Sequence, residues 1–504
     1  MRKKAVVLLI TIFLISLNIT VNSSGVNSNT NTDFDPLVDV SVTVEIKTIR
    51  FLEVNGLDAN NKKMKSLNNG PNFLINILRG IIDKKTYVNE EPSLYLKVFI
   101  NDVEFTSNIW DNTKYIYDPQ WSAILNVPDD QEIVNVKIQL WQSRNNEDDI
   151  LCDISPDFDN SDDSNDAELQ YSIKTGRWTG DDKISDDPSG YGRLSGCDDG
   201  TIYETDLDCE LWFNIYQNDY DEDGITYWSE VNNYNTNPEE KNFGDPDDDK
   251  IPVEWEWKWG YNPFVSENHK ELDPDGDSIN NYEEYLTSAW FSDPFRKDVF
   301  VELDIMDEGP NGEKTYFPVN AKELLQTSFD RQNIVLHLDM GEMGGHDIIP
   351  FYDVVDYRDL RDIYEDYFLH GDNNNWRRGV FHYGVVDYSV GGPPHGYMFR
   401  SNAFQIASSG MEEKAENPSL GSRDVVYGSG FMHELGHTFG FWPIPGHNRN
   451  SMYPWQLGYW INRPYQSCMN YGWTFRFVDY SDGSRSSPDI DDWERIQYDY
   501  FERE

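Results

Sequence analysis

The sequence predicts a multidomain chain: an N-terminal all-β sandwich, then a short spacer of acidic loops, then a C-terminal α/β (α+β) domain. Three observations predict it. Segments 39–46, 93–100, 134–141 and 209–216 alternate apolar and polar residues, as half-buried strands do. Three Asp-rich segments recur in register between 218 and 296. From 297 onward, strand-like apolar runs alternate with helical ones. A length of 504 residues suits about three domains. With 38% hydrophobic and 14% aromatic residues the chain can build sizeable cores, which decides against global disorder.

The first element is a leader. Arg2, Lys3 and Lys4 precede an apolar run over 5–17, and small polar residues follow. The run is too short to cross a bilayer, so 1–24 reads as a signal peptide cleaved near 22–25. No later run approaches 18 uncharged apolar residues. The expectation is a secreted, extracellular chain without a stable membrane anchor. A formal net charge of −49 makes nucleic acid and anionic membrane surfaces poor partners. That balance fits solubility, calcium binding or a salty habitat equally. Oligomeric state is not legible.

The sandwich occupies 35–217, after a Ser/Asn/Thr-rich stretch over 23–34. Its loops carry Asp157, Asp159, Asp162, Asp163 and Asp166, then Asp181, Asp182, Asp186 and Asp187. It loosely resembles calcium- and lipid-binding sandwiches of the protein-kinase-C type, with Asp111, Asp148 and Asp149 as loop ligands. An accessory sandwich with solvated acidic loops is the plainer reading. Of the four cysteines Cys152, Cys197, Cys209 and Cys468, three fall here. Export permits a bridge, Cys197–Cys209 being the simplest; free buried thiols are the alternative.

The spacer spans 218–296. Segments 219–230, 245–256 and 273–284 each place acids at positions 1, 3 and 5, Ile at 7 and Glu at 12. This is the ligand arithmetic of an EF-hand loop, in which carboxylates, one backbone carbonyl and a bidentate Glu wrap a hard cation. The first loop offers Asp219, Asp221, Asp223, the Ile225 carbonyl and Glu230. The second offers Asp245, Asp247, Asp249, Ile251 and Glu256. The third offers Asp273, Asp275, Asp277, Ile279 and Glu284. A solvated acidic linker would not repeat Ile and Glu at fixed offsets. Position 6 needs a positive φ, which Gly224 meets freely and Lys250 and Ser278 meet at a cost of about 1 kcal/mol. The array resembles the calcium repeats of thrombospondin type-3 and dockerin-like modules. That resemblance implies structural Ca²⁺ that stiffens the spacer, with room for one short helix per loop.

The C-terminal domain spans 297–504, and its decisive stretch is 431–448. His433 and His437 lie four apart, on one helix face, where two imidazoles can reach one tetrahedral ion. Glu434 follows the first and need not ligate; beside an open coordination site it can take a proton from water and pass it to a leaving amine. The expected helix has Ser429 near its start and ends at Gly440. The pattern H-E-x-x-H-x-x-G resembles that of the metzincin zinc peptidases, whose third ligand would fall at Pro443. Proline cannot ligate, so His447, four residues later, is the candidate, reached through a loop shaped by two prolines and Gly446. An Asp, a Glu or only two protein ligands remain open. Residues 467–473 resemble the metzincin Met-turn, which implies Met469 beneath the histidines and Tyr471 as an aid to the oxyanion; ordinary core packing is the alternative for both.

Other elements of this domain are a strand at 297–306, a helix near 319–331, a strand at 333–340, a helix near 356–369, and a strand at 379–388. A run at 399–408 reads as the edge strand that would hold an extended substrate. A gluzincin reading needs a downstream Glu, for which Glu494 is available in an unlike context. His337, His346, His370, His382 and His395 have no ligand spacing and read as structural or surface residues, and Cys468 as a buried thiol. The implied function is a secreted zinc endopeptidase, a hydrolase acting on protein or peptide, with Zn²⁺ and Ca²⁺ as its metals. The alternative is a calcium-dependent adhesion or scaffold protein with an inactive peptidase-like domain.

Overall fold

The alternating segments fold into two antiparallel sheets that face each other across one core. The computed structural model describes residues 40–52, 91–128, 131–144, 148–155, 165–182, 192–196, 207–242, 244–392 and 395–500. The expected signal peptide, the Ser/Asn-rich stretch, Cys197, and Asp157, Asp159, Asp162, Asp163, Asp186 and Asp187 lie outside them. The N-terminal strands are β1 (Ser41–Phe51), β2 (Ser93–Ile100), β3 (Val103–Thr106), β4 (Tyr115–Asn126), β5 (Ile133–Ser143), β6 (Ile150–Leu151), β7 (Ala167–Ser172), β8 (Arg177–Gly180), β9 (Arg193–Ser195) and β10 (Cys209–Gln217). One sheet runs β4-β1-β10-β9 and the other β3-β2-β5-β7-β8, with β6 on β5. Burial along β2 alternates strictly, so Leu94, Leu96, Val98 and Ile100 meet Val42, Val44, Leu211 and Phe213 from the other sheet.

The edge strand β4 escapes the alternation rule. Pro119 interrupts it, Asp118 and Gln120 take positive φ on either side, and β1 shifts register opposite, between Ile46 and Thr48.

The C-terminal half holds a second kind of sheet. Its strands are β11 (Asp298–Met306), β12 (Val335–Asp339), β13 (Ile348–Ile349), β14 (Phe381–Asp387), β15 (Gly396–Arg400) and β16 (Ala403–Ala407), in the order β12-β11-β14-β16-β15. All pairings are parallel except β15–β16. β14 is buried throughout and β11 almost so, as parallel strands covered on both faces must be. On one face, helices Val319–Asp330 and Arg423–Thr438 cover Val301, Leu303, Leu338 and Phe404 through Leu325, Phe329, Phe431 and Leu435. On the other, helix Tyr357–Ile363 and its π-helical continuation Tyr364–Phe368 pack on Phe300, Phe381 and Tyr383. Among the described residues, no helix is long and apolar enough to cross a membrane.

The expected edge strand is corrected by this topology. The 399–408 run straddles a hairpin: β16 is internal, between β14 and β15, and the antiparallel edge is β15. The run is broken by Arg400, Ser401 and Asn402, and Ser401 and Asn402 make the turn.

The acidic loops do not form a free-standing rod. Thr226 and Ser229 donate to the Lys174 carbonyl at 2.8 and 3.1 Å, and Arg177 Nη2 donates to the Trp257 carbonyl at 2.9 Å, which ties them to the sandwich. Trp290 packs on Trp376 and Phe381 beside the second sheet.

A buried ion cluster joins the two sheets' territories directly. Arg50 Nη2 meets Asp330 Oδ2 at 2.6 Å, Arg193 Nη2 meets Asp330 Oδ1 at 2.9 Å, and Arg193 Nε meets Glu210 Oε1 at 2.6 Å. Arg50 also pairs with Glu210. Removing Asp330 leaves two buried guanidiniums sharing the single carboxylate of Glu210, so Asp330→Ala should cost about 3–5 kcal/mol. Urea unfolding measures this; a loss below about 1 kcal/mol contradicts the cluster's role.

Candidate metal centres

Helix Arg423–Thr438 starts at Ser422, whose side chain accepts from the Val425 N–H, with Asp424 in the first turn. It therefore begins well before the expected Ser429. That serine lies inside the helix, fully buried, with Oγ accepting from Phe475 N–H at 2.8 Å. The polar triplet at 422–424 was the readable start signal. The far end is as expected: the helix stops at Thr438 and Gly440 takes φ 74°.

His433, His437 and His447 come together. One ligand atom from each lies within 4.8 Å of the others. His433 Nε2 and His447 Nε2 are 3.2 Å apart. Two nitrogens bound tetrahedrally at ~2.0–2.1 Å would lie about 3.3 Å apart, so the donor set fits one small ion. His433 Nδ1–H donates to the Cys468 carbonyl at 2.8 Å, which leaves the Nε2 lone pair for the cage. Burial holds His437 down to about 3 and His447 down to about 4, and burial with its two neighbours holds His433 well below the ordinary range. All three imidazoles are neutral at pH 7.

The loop bearing His447 turns at Gly446, φ 76°, where a Cβ would come within 2.2 Å of Asn470 Oδ1. Met469 is fully buried, with its sulfur where a Cβ on Gly436 would sit, 2.6 Å away; the helix can approach the turn only because residue 436 is glycine. Tyr471 lies with its ring 4.3 Å from that of His447. Burial and the nearby Glu434 keep its hydroxyl protonated. Trp442, more than half exposed, stacks on His437 at 5.7 Å. Glu434 is 7% exposed, and burial pushes its carboxyl up to about 8. A Cβ on Gly396, the first residue of β15, would lie 2.7 Å from Glu434 Oε1, so the edge strand passes directly over this carboxylate. Trp442, Gly436, Gly396 and Asn470 carried no recognisable spacing in the sequence.

Glu494 sits in the 3₁₀ turn Trp493–Arg495 and is not among the cage residues. Cys468 is a buried thiol that serves through its carbonyl. Cys209 sits against Cys152 in the sandwich core, and burial with that neighbour pushes its thiol up. Asp149 accepts from Tyr95 Oη and Arg144 N–H at 2.9 and 3.0 Å, and Arg144 Nε donates to the Asp148 carbonyl at 2.9 Å. Of the scattered histidines, His337 meets Asp298, His346 meets the Leu303 carbonyl, and His382 is buried edge-on to Phe439.

The three acidic loops share one backbone. Position 4 takes positive φ in each (Glu222, Asp248, Gly276), as does position 6 (Gly224, Lys250, Ser278). The position-1 aspartate accepts from the position-6 N–H at 2.6, 2.7 and 3.1 Å, and the position-5 aspartate accepts from the position-7 N–H at 2.8, 3.1 and 2.7 Å. Ile225, Ile251 and Ile279 are buried anchors. Glu230, Glu256 and Glu284 are fully buried, and each has a side-chain oxygen with no hydrogen-bond partner among the described residues. Burial and the neighbouring aspartates push Asp221 up to about 6, Glu230 to about 7 and Asp275 to about 11. Carboxylates gathered and orphaned in this way fit a divalent cation.

No family profile and no curated protein matches the chain. Among solved structures it is similar to human GIVD cytosolic phospholipase A2 at 11% identity, over 35% of this chain and 16% of that one, with a TM-score of 0.16. A structure of a C2 domain is similar at 9% identity, over 35% of this chain and 97% of that one, with a TM-score of 0.17. The chain thus spans about a sixth of the phospholipase's length. Likenesses this slight carry no argument.

Two expectations follow. His437 and His447 titrate near 3 and 4 when folded but near ~6.5 when unfolded. The unfolded chain binds more protons, so this stability is complete above pH ~6.5 and is lost as pH falls toward 4. In metal-stripped protein the urea midpoint should drop from pH 7 to 4.5, and less so in the variant carrying both His437→Gln and His447→Gln; equal drops contradict the assignment. Separately, EGTA should open 218–296 to limited proteolysis, and an unchanged digestion pattern counts against bound cations there.

Proposed function

We propose that the chain is a secreted zinc-dependent endopeptidase of the metzincin type whose acidic loops hold structural calcium. The observation that carries this reading is the convergence of three neutral imidazoles on one point, with Glu434 on the adjoining helical position and β15, the edge of the sheet among the described residues, above it. When bound, the ion would supply Lewis acidity toward water and the scissile carbonyl.

The chain's own residues supply the rest. An extended peptide would add to the free edge of β15, pairing its main chain as a further strand, so that recognition is general and side-chain pockets select. Gly396 brings that edge against Glu434, which sets the scissile bond beside the carboxylate. Glu434 takes a proton from the attacking water and delivers it to the leaving amine. A carboxyl raised by burial is suited to hold that proton between the two events, and a nearby cation would restore its charged form beforehand. Tyr471, protonated and packed on His447, can donate to the developing oxyanion. Trp442 screens His437 from water. A cleft of about 990 Å³ near Tyr316, Glu412 and Arg423 contains none of these groups and has no part in the reading.

Casein hydrolysis and metal content test the proposal together. Glu434→Gln, made in the His269→Asn background, should lower kcat by at least about 10²-fold while the one zinc of the histidine cage remains. In the same background, His447→Ala should lose both the cage zinc and activity. An active Glu434→Gln enzyme removes this carboxylate from the mechanism. Wild type with stoichiometric zinc and no peptidase activity would instead favour the adhesion or scaffold alternative.

A further inference from the structure

After each acidic loop the chain folds back over it. The returning backbone N–H reaches the position-5 aspartate in every case: Asn242 to Asp223 at 3.1 Å, Glu267 to Asp249 at 3.1 Å, and Asp298 to Asp277 at 2.7 Å. The side chain that arrives with it differs. Loop one receives an amide, Asn242 Nδ2, which donates to Asp223 at 2.7 Å and to Glu230 at 3.3 Å. Loop three receives the Asp298 carboxylate, itself 2.5 Å from His337 Nε2. Loop two receives an imidazole.

His269 is 2% exposed and aims Nε2 into the second loop, 3.2 Å from Asp249 Oδ2 and 3.5 Å from Glu256 Oε1. One ligand atom from each of these three side chains lies within 4.8 Å of the others. Glu256 is fully buried. Among the described residues, the contacts to Asp249 and Glu256 are the only ones His269 Nε2 makes, and no donor with hydrogen-bond geometry reaches either Glu256 oxygen or either oxygen of Asp247. Desolvated acceptors left unsatisfied at one point cost about 1–3 kcal/mol each unless something binds there.

The far side of the ring is arranged as a metal-binding imidazole requires. Trp255 and Tyr261 meet it edge-on at 5.9 and 5.0 Å, which fixes its plane. Nδ1 lies 3.1 Å from the Asn281 amide, and the buried Asn281 Oδ1 has no hydrogen-bond partner. Amide oxygen and nitrogen are interchangeable by half a turn. With the oxygen toward the ring, Nδ1–H donates to it, the orphaned acceptor is satisfied, and the Nε2 lone pair faces the carboxylates.

We propose that loop two is a mixed nitrogen–oxygen site in which His269 Nε2 joins Asp249 and Glu256 on the cation. Such a site favours a first-row transition ion, manganese or zinc, where the all-oxygen loops one and three favour calcium. The inference goes beyond the peptidase reading and does not depend on it, since it uses only the loops.

The test is ¹¹³Cd NMR of the full chain, stripped of metal and loaded with Cd²⁺ alone. Two loop resonances should fall in the oxygen-only range and a third downfield of them. His269→Asn, which installs the amide that loop one carries, should move the third into the oxygen-only range. It should also lower the site's preference for Mn²⁺ over Ca²⁺ by at least about tenfold. The three-histidine cage gives a separate, nitrogen-rich signal that His437→Gln removes, so its presence or absence bears on the peptidase reading alone. Three grouped oxygen-type resonances in the wild type overturn the proposal without any variant. A shifted resonance that His269→Asn leaves in place, or a second loop that takes up no Cd²⁺, overturns it too.

Discussion

One hydrogen bond organises the candidate catalytic centre: His433 Nδ1–H to the Cys468 carbonyl, 2.8 Å. It ties helix Arg423–Thr438 to the turn that carries Met469 and Tyr471. It selects the tautomer, and so decides that Nε2 faces inward with a lone pair. It also fixes the depth at which the helix sits, and that depth admits only glycine at 436, against the Met469 sulfur. The same carbonyl accepts from Thr474 Oγ1 at 2.7 Å, so the turn itself is held from within. Moving this carbonyl would mis-aim the imidazole before any other ligand changed.

Uncompensated charge is the second organising constraint. The three loops bury glutamates at position 12 and crowd aspartates around them, and the loops are packed between the sandwich and the second sheet. A bound cation there would neutralise the gathered carboxylates and stabilise the junction itself. The Arg50–Glu210–Arg193–Asp330 cluster solves a similar problem with protein charges alone. The two devices brace the same pair of layers.

Much of this was legible in the sequence because it follows from fixed spacing. Alternation located β1, β2, β5 and β10, and the positions of Asp, Ile and Glu located three loops whose backbones do repeat. Helical spacing brought His433 and His437 to one face, and the gap left by Pro443 pointed onward to His447, which does reach them. The illegible parts depend on contacts distant in the chain. Pro119 hides β4 within an irregular edge. The hairpin inside 396–407 is marked only by the three-residue polar break Arg400-Ser401-Asn402, which alone does not separate a turn from a polar stretch of one strand; the edge is β15, one arm before the 403–407 strand. His269 has no local pattern at all: only the return of the chain after the second loop brings it to Glu256. Ser422, followed by Arg423 and Asp424, carries the cap signal; Ser429 lies nearer the histidine motif but inside the helix.

The most direct test of the central claim is X-ray absorption at the zinc edge, on the His269→Asn protein loaded with a single equivalent of zinc. The account predicts three imidazole nitrogens at ~2.0–2.1 Å and one further light-atom ligand. A first shell of oxygens, or two imidazoles only, would contradict it.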